Sequence, residues 1–249
     1  MNKSILLLPA FLVGAAAASG QILLMESFSN TDDQAPITDL DNWNWAVDDG
    51  GGSDTGNRQF GRLSALNGVD GEPGFAYQFN GSGAARASVI WNDSVNFAQS
   101  AVTGFSAYVG DNSGAAQSRF LIQIDNNNWY VSTAAGSENV GAASNFETGA
   151  VLFDLPFSTL GANWVQLDYD GALGSASSGF QLLSGDISGS ALTEPLPAGN
   201  ITAVGAYLYG PNNAATRIDD FTVIPEPSTY VALFGLLAFG FVAYCRLRK

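Results

Sequence analysis

Short runs of apolar or alternating residues recur along most of the chain, separated by clusters of Gly, Asn, Asp and Ser, which is the spacing of strands and turns. The runs predict strands at Ile22–Phe28, Trp43–Val47, Gly74–Phe79, Ala85–Trp91, Val102–Val109 and Arg119–Asp125. Others follow at Trp129–Thr133, Ala150–Leu155, Trp164–Tyr169, Gly179–Leu183, Ile201–Tyr209 and Thr216–Ile224. Side chains in a strand alternate between faces, so Phe120, Ile122 and Ile124 share one face, opposite Leu121, Gln123 and Asp125. In the last run Ile218, Phe221 and Val223 stay on one face only if a residue is out of phase, which predicts a bulge near Asp219. Asp125-Asn126-Asn127-Asn128 predicts a hairpin turn, because Asp and Asn accept left-handed backbone at small cost. No long stretch of the body keeps a helical apolar period free of Gly.

So many strands need two packed sheets or a barrel to bury their faces. The expected fold is all-β, a two-sheet antiparallel sandwich, jelly-roll as first choice and concanavalin-like as second. No internal repeat of fixed period points to a propeller or solenoid. Asp48–Asn57 and Gly171–Gly179 read as exposed loops. Asp48, Asp49 or Asp54 offers oxygen ligands for calcium, but the spacing lacks an EF-hand pattern, and a solvated linker is preferred.

Both ends depart from this pattern. Residues 1–20 carry one early charge, Lys3, then the apolar stretch Ile5–Ala18 and small residues up to Gly20, the layout of a secretory signal peptide cleaved after Ala18 or Gly20. The body is expected to span residues 21–224. Residues 225–249 begin Pro225-Glu226-Pro227-Ser228, continue through an apolar segment from Tyr230 to Tyr244 expected to be a single transmembrane helix, and finish with Arg246, Arg248 and Lys249. The basic cluster stays cytoplasmic by the positive-inside rule, which leaves the body on the opposite side of the membrane.

Composition then excludes several chemistries. The 249 residues contain no His and one Cys, Cys245, so Ser-His-Asp and Cys-His machinery and a His or Cys zinc cage are excluded. Lys plus Arg is 9 against 23 Asp plus Glu, a formal charge of −14, the wrong sign for holding nucleic acid. Between Glu26 and Glu226 the only basic residues are Arg58, Arg62, Arg86, Arg119 and Arg217, against all 23 acids, and such a surface attracts cations.

The Pro225-Glu226-Pro227 tripeptide, the apolar helix and the terminal basic cluster resemble the PEP-CTERM sorting signal of Gram-negative bacteria. That resemblance implies export across the inner membrane, membrane anchoring through the helix, processing by an exosortase-like protease, and release to the cell surface or an extracellular matrix rich in exopolysaccharide. Pro225, Glu226 and Pro227 are then recognition residues for that enzyme. The alternative is a plain C-terminal anchor, with the prolines only separating the last strand from the helix.

Within the body, Met25-Glu26-Ser27-Phe28 and Arg217-Ile218-Asp219-Asp220-Phe221-Thr222-Val223 resemble the first and last strands of jelly rolls of the carbohydrate-binding-module type. The resemblance implies that these strands lie side by side and that Glu26 with Asp219 or Asp220 holds a structural Ca²⁺. Adjacent acids on a strand point to opposite faces, so one of them needs a cation or a donor such as Arg217. The alternatives are an exposed edge strand or a plain Arg–Asp pair.

Sugar binding would use an aromatic platform with nearby amides. The chain has Trp43, Trp45, Trp91, Trp129 and Trp164. Asn128, Trp129 and Tyr130, which follow the predicted turn, are the candidate platform, against a core role for each Trp. Exposed rings in a groove would mark a carbohydrate module, whereas burial of all five Trp would mark a purely structural surface protein. A glycoside hydrolase is the remaining alternative. It needs two acids about 5–9.5 Å apart across a cleft, and no Glu-x-Asp-x-x-Glu strand is present, while Glu26, Glu72, Glu138, Glu147 and Glu194 fall mostly at loops or strand ends. The sequence therefore reads as a non-enzymatic, exported surface or matrix protein that binds or scaffolds polysaccharide.

Overall fold

The computed structural model describes residues 22–28, 43–47, 58–62, 66–69, 71, 74–80, 86–126, 128–167, 190–211 and 214–226. The body is a two-layer β-sandwich in which the described strand pairings are antiparallel. One sheet runs β10 (Val151–Pro156), β7 (Val102–Asp111), β13 (Ala215–Pro225), β4 (Ala76–Asn80), β3 (Arg58–Arg62), and β1 (Leu24–Glu26) also pairs with β13. The other runs β11 (Trp164–Leu167), β9 (Asn128–Ser132), β8 (Gln117–Ile124), β12 (Asn200–Gly210), β5 (Arg86–Asn92), β2 (Trp43–Val47), with β6 (Phe97–Ala98) beside β12.

Alternation places the core. Phe120, Ile122 and Ile124 of β8 and Val204, Ala206 and Leu208 of β12 face Phe105, Ala107 and Val109 of β7 and Ile218, Phe221 and Val223 of β13, all buried between the sheets. Phe120 stacks on Phe153 at 4.9 Å and Phe105 at 5.5 Å, and lies 5.9 Å from Phe221, so one ring of the seven-stranded sheet meets three of the other. A buried residue of this size contributes about 1.5–3 kcal/mol through removal from water. Gly205 lets β12 and β5 approach closely: a Cβ there would lie 1.9 Å from the carbonyl oxygen of Ile90.

The hairpin and the bulge form where the pattern predicts them. Asp125 and Asn126 take positive φ of 51° and 60°, and Ile124 pairs with Asn128 across the turn. The register of β13 against β7 shifts between Asp219 and Thr222, with Asp220 at φ 50°. β1 is shorter than expected because Phe28, at φ 51°, leaves the strand path. Arg58–Arg62 and Phe97–Ala98 are strands that the pattern does not predict. The expected strand Gly179–Leu183, both expected loops, the signal peptide and the Tyr230–Tyr244 helix lie outside the described residues. Among the described residues no helix is long and apolar enough to cross a membrane.

Candidate functional site

The first and last strands lie side by side, as the resemblance implies. Glu26 pairs with Phe221, so its strand position is next to the Asp219–Asp220 bulge. β1 and β4 occupy the same side of β13 in succession, β4 along Ala215–Ile218 and β1 along Phe221–Val223, and the two aspartates fall at the gap. Asp219 is fully buried; one carboxylate oxygen accepts the Val69 N–H at 2.9 Å and the other accepts the Asp220 N–H at 2.9 Å. Gly68 is required beside it, since a Cβ there would lie 2.1 Å from the Asp219 carboxylate. Glu26 accepts the Phe28 N–H at 2.8 Å and thereby fixes the turn that seats Phe28 edge-on against Trp43 at 5.1 Å. Glu26 and Asp219 thus already accept backbone N–H groups, and among the described residues no three acids cluster in a way that could hold a metal ion.

Arg217 does not sit at this corner. It lies on the outer face of the six-stranded sheet, 4% exposed, and its Nη2 donates to the Gly141 carbonyl at 3.2 Å. Burial lowers its pKa, and the negative charge of Asp111 pulls it back up. Asp111 is 1% exposed and accepts hydrogen bonds from the Ser113 and Gly114 N–H groups and from the Ser137 hydroxyl. This carboxylate ties the turn after β7 to the segment that carries Val140 and Phe146 over Phe75 and Tyr77.

The outer face of the seven-stranded sheet is also apolar. Ala87, Val89 and Trp91 of β5, Ala203 and Tyr207 of β12, Leu121 of β8, Trp129 and Val131 of β9 and Leu167 of β11 form a second buried cluster, with Tyr209 packed against it. Trp91 and Trp129 meet edge-to-face at 5.4 Å. At one end, cross-strand pairing puts Tyr209 beside Gln117 and Tyr207 beside Arg119. Arg119 is held flat: its Nη1 donates to the carbonyls of Ser132 and Thr133, and its Nε and Nη2 donate to Gln117 Oε1. Tyr209, Arg119 and Gln117 are all partly exposed and form an aromatic and polar strip at the edge of an apolar face.

The Asn128–Trp129–Tyr130 platform requires correction. Neighbours on a strand face opposite ways, so Trp129 joins the outer cluster while Tyr130 is buried between the sheets, where burial raises its pKa. Asn128 is partly exposed at the start of β9. Trp43, Trp91, Trp129 and Trp164 are all buried, at 8% exposure or less, and the side chain of Trp45 lies outside the described residues. Tyr209, Arg119 and Gln117 were not singled out from sequence, although the alternation of Tyr207 and Tyr209 in β12 marks them as partners on one face.

β13 continues without a break into the tripeptide: Pro225 is its last residue, and the Glu226 N–H donates to the Ala101 carbonyl at 2.9 Å. Pro227 lies outside the described residues. Residues 223–249 match the PEP-CTERM protein-sorting motif. PEP-CTERM sorting implies export and delivery to the cell surface in Gram-negative bacteria, with processing by an exosortase-like enzyme. No curated protein matches the chain in sequence. Solved structures similar to the sandwich include a family 11 carbohydrate-binding module from Clostridium thermocellum in complex with a β-1,3-1,4-mixed-linked tetrasaccharide, 14% identical over 81% of this chain and 96% of that one, TM-score 0.40. The CBM22-1 xylan-binding domain of Paenibacillus barcinonensis Xyn10C is 14% identical over 84% and 97%, TM-score 0.40. An arabinose-bound GH51 α-L-arabinofuranosidase is 8% identical, TM-score 0.43, and the sandwich spans 27% of its length.

Proposed function

We propose that this exported protein is held in the membrane by its PEP-CTERM-type tail until processing, and that its sandwich then contacts extracellular polysaccharide without catalysis. The observation that carries the reading is the outer face of the seven-stranded sheet. Its apolar and aromatic cluster is buried, and at one end it gives way to the partly exposed strip of Tyr209, Arg119 and Gln117, which sets a ring beside polar side chains. A tyrosine ring offers a stacking surface for a pyranose, and the amide of Gln117, held in place by Arg119, offers a polar group for hydroxyls. A purely structural role is the second reading, favoured by the burial of Trp43, Trp91, Trp129 and Trp164.

A structural Ca²⁺ held by Glu26 with Asp219 or Asp220 is part of the proposal. It rests on the backbone positions of Glu26 and of the Asp219–Asp220 bulge, which adjoin where β1 meets β13. The test uses the full chain in detergent, on a glycan array and in melting experiments with EDTA or millimolar Ca²⁺. Retention of one glycan class, weakened about tenfold, or 1.4 kcal/mol, by Tyr209→Ala, supports glycan contact; a blank array with a folded protein supports the structural role. A melting temperature raised by Ca²⁺ and insensitive to it in Asp219→Ala supports the ion; equal melting in EDTA and Ca²⁺ removes it.

A further inference from the structure

The sorting motif and the sandwich share residues. The match begins at Val223, which is fully buried in the inter-sheet core, and β13 extends to Pro225. The backbone is held on both sides of that point. Ile224 pairs with Gly104 and Pro225 with Val102 of β7. The Thr103 hydroxyl donates to the carbonyls of Ile224, at 3.3 Å, and Pro225, at 2.9 Å. The Glu226 N–H is engaged by Ala101. On the same stretch Leu23 N–H donates to the Val223 carbonyl, so β13 is gripped from β1 as well as from β7.

A protease binds its substrate extended, through the same backbone groups that a sheet uses, and several residues on each side of the scissile bond must leave their native partners. Cutting before or after Pro225 would therefore require β13 to peel furthest from β7 and β1 and to draw Val223 out of the core, whereas each residue by which the cut moves beyond Glu226 leaves one more residue of the strand in place. We infer that β13 sets the processing boundary: in the folded protein cleavage falls on the C-terminal side of Glu226, and the released body retains Pro225 and Glu226. In the hydrolytic case one peptide bond is broken by water, which leaves a carboxylate on the body and a free amine on the tail. This inference rests on the tail being a processed sorting signal. Its consequence is that the two leading residues of the tripeptide are part of the mature protein, and that removing the tail takes no strand from either sheet.

Two measurements test it. The full chain in detergent is treated with an endoprotease that cuts after proline, and fragments are identified by intact mass. Cleavage after Pro225 is expected to be at least about tenfold slower than after Pro227, because it tracks the small population in which the strand end is open. Thr103→Val, which removes both side-chain bonds while keeping a β-branched residue, is expected to speed the cut after Pro225 several-fold. Equal cutting at the two bonds in the unaltered protein overturns the inference. Secondly, the body released by producing cells is weighed: a C-terminus at Glu226 or beyond supports it, and one at Ile224, Pro225 or earlier overturns it. If the cells release no shortened body, the processing reading itself fails, and the protease experiment still decides whether the strand end is protected.

Discussion

Replacing Asp111 separates two kinds of stabilisation that meet at one buried carboxylate. Its oxygens accept the Ser113 and Gly114 N–H groups and the Ser137 hydroxyl, and its charge opposes the cost of burying Arg217. Hydrogen bonds to a charged group contribute about 1.5–3 kcal/mol each and are not additive. The Asp111 charge adds to this by offsetting part of the cost of burying Arg217. Asp111→Ala loses both contributions, so a loss of about 4 kcal/mol is expected, a large part of the 5–15 kcal/mol typical of a folded protein. Asp111→Asn keeps an oxygen for the two N–H groups and can donate to Ser137, so the hydrogen bonds persist in their weaker neutral form, at a cost of about 1–2 kcal/mol. Urea unfolding of the full chain in detergent, followed by tryptophan fluorescence, reads these as midpoint shifts of about 1–2 M and about 0.5 M. In an Asp111→Ala background, Arg217→Met is expected to cost less than it does alone, because the buried guanidinium has then lost its compensating charge. A midpoint change under about 0.3 M for Asp111→Ala, or equal shifts for the two variants, would refute the reasoning.

Gly205→Ala places a methyl against the Ile90 carbonyl and Trp91 Cα, at 1.9 and 2.7 Å before relaxation, so β5 must separate from β12. The expected loss is about 2–3 kcal/mol or more in the same urea experiment, and a neutral result contradicts the close approach. Tyr130 has a pKa raised above the ordinary 10.0 by burial. Its contribution is therefore fully present below pH 10 and is lost as pH rises through the folded value. Tyr130→Phe is expected to flatten the decline in stability above pH 10, and an unchanged alkaline slope would show that other groups control it.

Much of the fold was legible because alternation and turn chemistry agreed. Phe120, Ile122 and Ile124 fixed the inward face of β8, and the Asp-Asn turn fixed its hairpin partner. The bulge at Asp219 followed from Phe221 and Val223 being one position out of phase. Arg58–Arg62 was illegible because it has a single large apolar residue, Phe60; its pairing with β4 is a tertiary effect that local pattern does not encode. The platform failed for a different reason. Alternation separated Trp129 from Tyr130 but could not say which faced inward, because the seven-stranded sheet is apolar on both faces. The approach of Asp111 to Arg217 joins positions far apart in the chain, and neither residue has a local signature.

The last two described strands, β12 and β13, occupy interior positions of the two sheets: β12 joins β8 to β5, and β13 joins β7 to β4 and β1. Until they arrive, β5 and β8 have lost their common neighbour, and so have β4 and β7. Contacts of such long sequence separation form slowly and late. A chain emerging N-terminus first during export would therefore hold most of its strands without a closed core, and would gain both sheet centres together as residues 200–225 come through. Acquisition of the native state would thereby be timed to the end of translocation, when the part of the sorting motif beyond β13 is the next segment to follow.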